Sequence, residues 1–208
     1  MKKILSLVTL LGMMVGTASA APYYLPQPAG GSLTPYDWQP VYSIEGVYNF
    51  VDGDSLPDTY GARLNFSLYN NAVSSVRHQF SISAGYEFGS DTFTEDDFRF
   101  KTELSRIPIT LGYDANIVLT DHVMLDLGAK AGYAFGEIEA KADHESISDS
   151  VGGFTFALGA GIKIQCSESI YVKVGYEFSR TFYGKTFDDE FNANYGQHSV
   201  VIGVGALF

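Results

Sequence analysis

From residue 41 to the end, this chain alternates large apolar residues with small or polar ones at a period of two. That pattern belongs to strands, whose successive side chains point to opposite faces. The third segment is the cleanest: Phe80, Ile82, Ala84, Tyr86 and Phe88 alternate with Gln79, Ser81, Ser83, Gly85 and Glu87. Val41 to Val51 sets Tyr42, Ile44, Tyr48 and Phe50 against Ser43, Glu45 and Asn49. Thr59 to Tyr69 sets Tyr60, Ala62, Leu64, Phe66 and Leu68 against Arg63, Asn65 and Ser67. Later segments run His122–Gly136, Phe154–Ile164, Ile170–Ser179 and Val200–Phe208. The fourth, Phe98 to Asp114, is irregular. Phe98 and Phe100 share one phase, and Ile107, Ile109, Leu111 and Tyr113 share the other. A phase slip near Arg106 predicts a bulge there, a place that also tolerates Pro108.

The connections alternate as well. Asp52–Asp58, Gly89–Asp97, Glu137–Ser150 and Phe182–Gly196 are acidic loops; Tyr69–Arg77, Ala115–Asp121 and Cys166–Ser169 carry little charge. Eight segments joined this way predict an all-β, eight-stranded antiparallel up-and-down barrel, closed so that no edge is left free.

Alternation alone does not say which face points outward. The small face of the sixth segment decides it: Gly153, Thr155, Ala157, Gly159, Gly161 and Lys163 suit a crowded lumen better than a solvated surface. The apolar faces carry aromatics near strand ends, namely Tyr42, Tyr60, Phe88, Tyr133, Phe135, Phe154 and Phe178, as interfacial girdles do. Strands of about 10 residues cross a bilayer when tilted. The barrel is therefore expected to span a membrane, with a soluble exported barrel as the alternative.

The N-terminus points the same way. Lys2 and Lys3 precede an apolar run from Ile4 to Val15 and the small-residue site Ala18-Ser19-Ala20. This reads as a signal peptide over residues 1–20, too short to span as a helix. Residues 21–40 hold Pro22, Pro26, Pro28, Pro35 and Pro40. Proline at this density predicts an extended tail, whose Tyr23, Tyr24, Tyr36 and Trp38 either rest at the membrane surface or form a plain linker. The barrel is assigned to 41–208.

These features together resemble the small eight-stranded outer-membrane barrels of the OmpA/OmpX type, a porin-like family of Gram-negative bacteria. The resemblance covers Val41 to Phe208. It is sharpest at the terminal Phe208 with Gly203 and Ala206, and in the run Ile107-Pro108-Ile109-Thr110-Leu111-Gly112-Tyr113. It implies an outer-membrane location, lipid and lipopolysaccharide as neighbours, and a last strand read by the barrel assembly machinery through Gly203, Ala206 and Phe208. A monomer is expected, and no further domain after the last strand.

Lumen positions of the regular strands carry Glu45, Glu87, Asp126 and Glu177 against Arg63, Lys130, Lys163 and Lys173. Side chains fill an eight-stranded barrel, and buried charges must pair. A salt-bridged plug is therefore expected rather than a narrow ion path. Lys163 and Lys173 should sit low in the lumen with Asp126 near them.

The chain holds 24 Asp+Glu against 13 Lys+Arg, a formal charge of -11, which argues against a nucleic-acid partner. A single cysteine, Cys166, excludes an internal disulfide and a Cys-rich zinc site. Asp91, Glu95, Asp96 and Asp97, and Asp188, Asp189 and Glu190, lack EF-hand spacing and read as a solvated, repulsive surface rather than a Ca²⁺ site. Phe93, Phe182, Tyr183, Phe187, Phe191 and Tyr195 either anchor a protein partner or cap the mouth.

His144-Glu145-Ser146 has the His and Ser spacing of lipid A deacylase barrels, but in a loop and without Asn-Ala after the Ser. No enzyme activity, cofactor or metal is expected, and His78, His122 and His198 read as interfacial. The leading function is envelope integrity and surface display through four acidic loops. Adhesion or reception through those loops is the alternative, ahead of lipid A modification.

Overall fold

The computed structural model describes residues 38–52, 56–70, 75–95, 98–142, 145–183, 185–186, 191–192 and 194–208. The expected signal peptide, residues 1–20, and nearly all of the expected proline-rich tail lie outside them. The strands are β1 (Trp38–Val51), β2 (Thr59–Asn70), β3 (Val76–Glu95), β4 (Phe98–Val118), β5 (Val123–Ala142), β6 (Glu145–Gln165), β7 (Ile170–Phe182), β8 (Lys185–Thr186), β9 (Phe191–Asn192) and β10 (Tyr195–Leu207). Eight of them close a barrel in the order β1-β10-β7-β6-β5-β4-β3-β2, and β8 and β9 form a separate hairpin. Every barrel pair is antiparallel, and β10 closes the ring on β1 from Val41↔Leu207 to Val51↔Gln197.

Burial is inverted relative to a water-soluble barrel. Leu64, Leu111, Tyr60, Leu158 and Tyr42 point outward and are exposed, whereas Glu45, Arg63, Glu87, Asp126, Lys163 and Glu177 are buried inside. A closed ladder pairs the backbone of every spanning strand within the protein, which is what hydrocarbon demands.

Three expectations need correction. The fourth strand has no bulge. Its register runs unbroken from Phe100↔Ala142 to Val118↔Met124 on the β5 side. On the β3 side the same register holds from Glu95↔Phe98 to Val76↔Ile117, with a gap only between Glu87↔Arg106 and Ala84↔Ile109, where Pro108 has no N–H to donate. The hydrophobic phase inverts because the interior itself changes. Arg106, Asp114 and Asn116 line a polar lumen, while Leu104, on the same face, enters an apolar cluster at the mouth.

The second correction concerns the loops. Most of Gly89–Asp97 and Glu137–Ser150 is strand: the ladders continue to Glu95↔Phe98 and Ala142↔Glu145. Polar alternation, as in Ser146, Ser148 and Ser150 beside Ile147, sustains a strand above the membrane as well as within it. Third, β1 begins at Trp38, so Trp38, Gln39 and Pro40 belong to the barrel rather than the tail. Pro40 pairs with Leu68 of β2, while the ladder to β10 starts one residue later, at Val41.

Strands β4 and β5 approach so closely that one lumen-facing position admits no side chain. A Cβ on Gly132 would lie 2.0 Å from the Ile109 carbonyl oxygen and 2.7 Å from Thr110 Cα. Backbone atoms in a ladder cannot move aside. Gly132→Ala is expected to destabilise the barrel by about 1–3 kcal/mol, read as a lower urea midpoint for the refolded protein. An unchanged midpoint would contradict this close approach.

Candidate functional site

The lumen gathers ionisable side chains from seven of the eight barrel strands. Glu87 on β3 lies at the centre of an upper group. Arg63 Nη2 meets its Oε1 at 3.0 Å. Arg106 Nε and Asn49 Nδ2 donate to its Oε2 at 2.7 and 2.8 Å. Arg63 also reaches Glu177 at 2.6 Å, and Lys130 reaches the other Glu177 oxygen at 2.8 Å. In the lower group Asp126 holds Lys163 at 2.8 Å and Lys173 at 2.6 Å. Lys163 donates further to Asn116 at 2.7 Å and Gln79 at 2.9 Å. Glu45 stands between the two groups, 3.8 Å from both Lys130 and Lys173.

All eight charges expected in the lumen are in it and linked. Three more were not expected there. Arg106 is buried, bonded to Glu87 and donating to Tyr195 OH at 3.1 Å; Asp114 is buried and borders a cavity of about 20 Å³ with Asp126, Lys130 and Lys173. Both lie on β4, opposite in phase to Ile107–Tyr113. Extending that phase through the irregular strand would have found them. Arg77 on β3 also faces inward, lining a small void with Gln79 and Lys163, so the lumen holds six cations and five carboxylates.

An apolar cluster stands at each end. At the hairpin end Leu104, Ala134, Ile138, Val151, Tyr183 and Tyr195 pack together, with Val51 and Leu56 against them. At the end bearing the barrel's termini, Val41, Tyr69, Met124 and Tyr171 do the same.

Gly203, Ala206 and Phe208 lie in the closing seam. Gly203 faces Glu45 of β1 and Lys173 of β7. A Cβ there would meet Glu45 Cγ at 2.8 Å, so the glycine makes room for that carboxylate. Ala206 pairs with Tyr42 and Ile170. Phe208 stands edge-on to Tyr42, centroids 5.5 Å apart, and its N–H donates to the Pro40 carbonyl at 3.1 Å.

Beyond the outward apolar band, β4 and β5 carry charge. Lys101 stands opposite Lys141 and Glu103 opposite Glu139. Like charges face each other, so the ion pairs run off the rungs: Lys141 to Glu103 and to Glu139, each at 2.9 Å, and Lys101 to Glu103. The Lys101 and Lys141 ammoniums hold the Glu103 carboxyl at about 2, against its usual 4.5. A carboxylate depressed by folding supports the hairpin above its free value and loses that support as pH falls through its folded one. Amide exchange protection around Glu103, normalised to intrinsic rates, should therefore fall between pH 4.5 and about 2. A Glu103→Gln protein should show no such step.

The remaining candidates are dispersed. His144 lies outside the described residues, as do Asp96, Asp97, Asp188, Asp189 and Glu190. His78 accepts from or donates to Tyr113 OH at 2.7 Å. His198 bonds Tyr176 OH through Nδ1 and stands 3.2 Å from Asp52 through Nε2. Cys166 is free and exposed. Among the described residues no group of three or more His, Cys, Asp or Glu is placed to hold a metal ion.

No curated protein matches the chain. Among solved structures it is similar to Ail, the attachment invasion locus protein of Yersinia pestis, at 17% identity and a TM-score of 0.48, over 84% of this chain and 100% of that one. It is also similar to the N-terminal beta-barrel domain of Pseudomonas aeruginosa OprF, at 15% identity and 0.47, over 83% and 100%. Neisserial surface protein A matches at 15% and 0.47, over 82% and 97%. The family described as outer membrane protein beta-barrel domain matches residues 5–208. The match takes in the whole eight-stranded ring, and the chain belongs to that outer-membrane family.

Proposed function

We propose that this protein is a non-catalytic envelope barrel with a plugged lumen, which stiffens the outer membrane and displays acidic hairpins on its outer side. The observation that carries the reading is the scale of the voids among the lumen charges. They are separate spaces of about 20 Å³ or less, each room for a water molecule. A hydrated ion needs a continuous path, and the apolar clusters at both ends interrupt one. The purified barrel should add no current steps to a planar bilayer across the physiological voltage range. Reproducible steps that scale with protein would overturn the plug.

The rest of the reading follows the topology. Residues 1–20 direct export and are removed. The β10 seam ending in Phe208 engages the assembly machinery, and the protein works as a monomer among lipopolysaccharide. The side with long connections faces outward, as in other membrane barrels.

A second role, surface binding, is favoured by one feature. Strands β3 to β6 rise above the others and leave the edges Gly89–Glu95 and Glu145–Ser148 with no strand partner among the described residues. Unpaired edges recruit extended segments of other proteins. A barrel with shortened β5–β6 hairpin, shown folded by heat-modifiable gel mobility, separates the roles. If it restores detergent resistance to a deletion strain, the barrel body carries the function. If only the full-length protein does, the function lies in the hairpins.

A further inference from the structure

Nine arginines and lysines have described side chains, and seven of them lie within 4.0 Å of a carboxylate. The other two are Arg77 and Arg180. Arg77 is half-buried, and its Nη1 donates to Tyr69 OH at 3.3 Å. Arg180 is exposed and stands on the outward face of β7, in the row Tyr176, Phe178, Arg180, Phe182. Its guanidinium lies over the Phe182 ring, 5.4 Å from the centroid.

This placement is specific in depth and in surroundings. Tyr176 and Phe178 belong to the outward aromatic band, and β7 ends at Phe182, so Arg180 stands at the outer rim of that band. Across the ladder it faces Phe156 on β6 and Gly196 on β10. Phe156 stacks on Phe182 with centroids 6.1 Å apart, which gives the guanidinium an aromatic floor. Gly196 brings no side chain of its own to the other flank, where a Cβ would meet Asp52 Oδ2 at 2.8 Å. The carboxylate beside Gly196, Asp52, is turned to His198 Nε2 at 3.2 Å. An outward cation with no carboxylate within 4.0 Å among the described residues is unusual on a chain with a formal charge of -11.

We infer that Arg180 binds a lipid phosphate, that of the lipid A surrounding the outer rim. Guanidinium matches phosphate in bidentate geometry, and stacking on an aromatic ring fixes its plane. At the headgroup level such a contact counters the repulsion between an acidic barrel and a phosphorylated leaflet. Lys101 and Lys141, the other described cations beyond the band, are held by Glu103 and Glu139 and are not free for this role. The inference rests on the reading that lipopolysaccharide surrounds the barrel.

The test uses the refolded full-length barrel in lipid-poor detergent, with native mass spectrometry counting bound lipid. The probes are bisphosphorylated lipid A, dephosphorylated lipid A and phosphatidylglycerol. The native protein should retain the bisphosphorylated form best. Arg180→Gln should weaken that retention about fivefold, as one interfacial cation contributes. It should leave the dephosphorylated form unchanged, and Arg180→Lys should fall between. Equal retention by native protein and Arg180→Gln, or equal retention of both lipid A forms, overturns the site. Equal retention of phosphatidylglycerol overturns the assignment to lipid A. If Arg180→Gln does not fold, loss of bisphosphorylated but not dephosphorylated lipid A from native protein in salt carries the test. Bilayer conductance is read separately, so failure here leaves the plug standing.

Discussion

Replacing Glu87 with leucine is expected to destabilise the folded barrel by about 3–5 kcal/mol. Glu87 is fully buried and accepts from Arg63, Arg106 and Asn49. Leucine fills a similar volume but answers neither guanidinium. Arg63 keeps Glu177 at 2.6 Å. Arg106 keeps only the neutral oxygens of Tyr195 and Thr181, at 3.1 and 3.3 Å. The penalty therefore comes mostly from one uncompensated charge. Urea titration of the protein refolded in liposomes, with heat-modifiable mobility as a check of folding, measures it. Adding Arg106→Met to Glu87→Leu should recover much of the loss, because the stranded cation is gone. A Glu87→Leu barrel within 1 kcal/mol of native would mean that water reaches the upper lumen freely.

Leu104→Ala is the second large effect, about 2–5 kcal/mol. Leu104 has no exposed surface and is enclosed by Ala134, Ile138, Val151, Tyr183 and Tyr195. Truncation leaves a cavity that a ladder on each side prevents from collapsing. The loss should appear in the same urea titration. It should also raise solvent exchange at the Arg106 guanidinium, which this cluster separates from the outside. The two substitutions should not add independently, because Tyr195 belongs to the apolar cluster and also bonds Arg106. Native exchange at Arg106 in the Leu104→Ala protein would show that the cluster is not the barrier.

Most of the barrel was legible because period two survives whatever lies on either face. Seven segments read correctly in phase from Tyr42 and Ile44, Phe80 and Ile82, and their counterparts. The irregular β4 misled for a physical reason: its interior face passes from Asp114 and Arg106 to Leu104 without any change in register. A reader who assumes a uniform interior must invent a bulge. The tall hairpins were hidden by the converse problem, since Glu137, Glu139 and Lys141 alternate as strand residues but look like loop. Which lumen charges share a strand face could be read; which ones meet could not. Arg63 and Glu177 lie 114 residues apart, and their contact depends on closure across the barrel. Asp126 between Lys163 and Lys173 was accessible because strand phase and a short turn set both lysines at one height.

Six cations against five carboxylates leave the lumen close to neutral, so the chain's excess of negative charge lies outside it. Most of the acids outside it lie toward one end of the ring, in the tall strand ends and the connections beyond them, which makes the barrel an electric dipole along the membrane normal. Side by side in one membrane, such barrels are parallel dipoles and repel laterally. Their spacing should then follow ionic strength, because added salt shortens the range of the repulsion. Two-dimensional crowding of this protein would be set by the counter-ions above the membrane rather than by contacts within it.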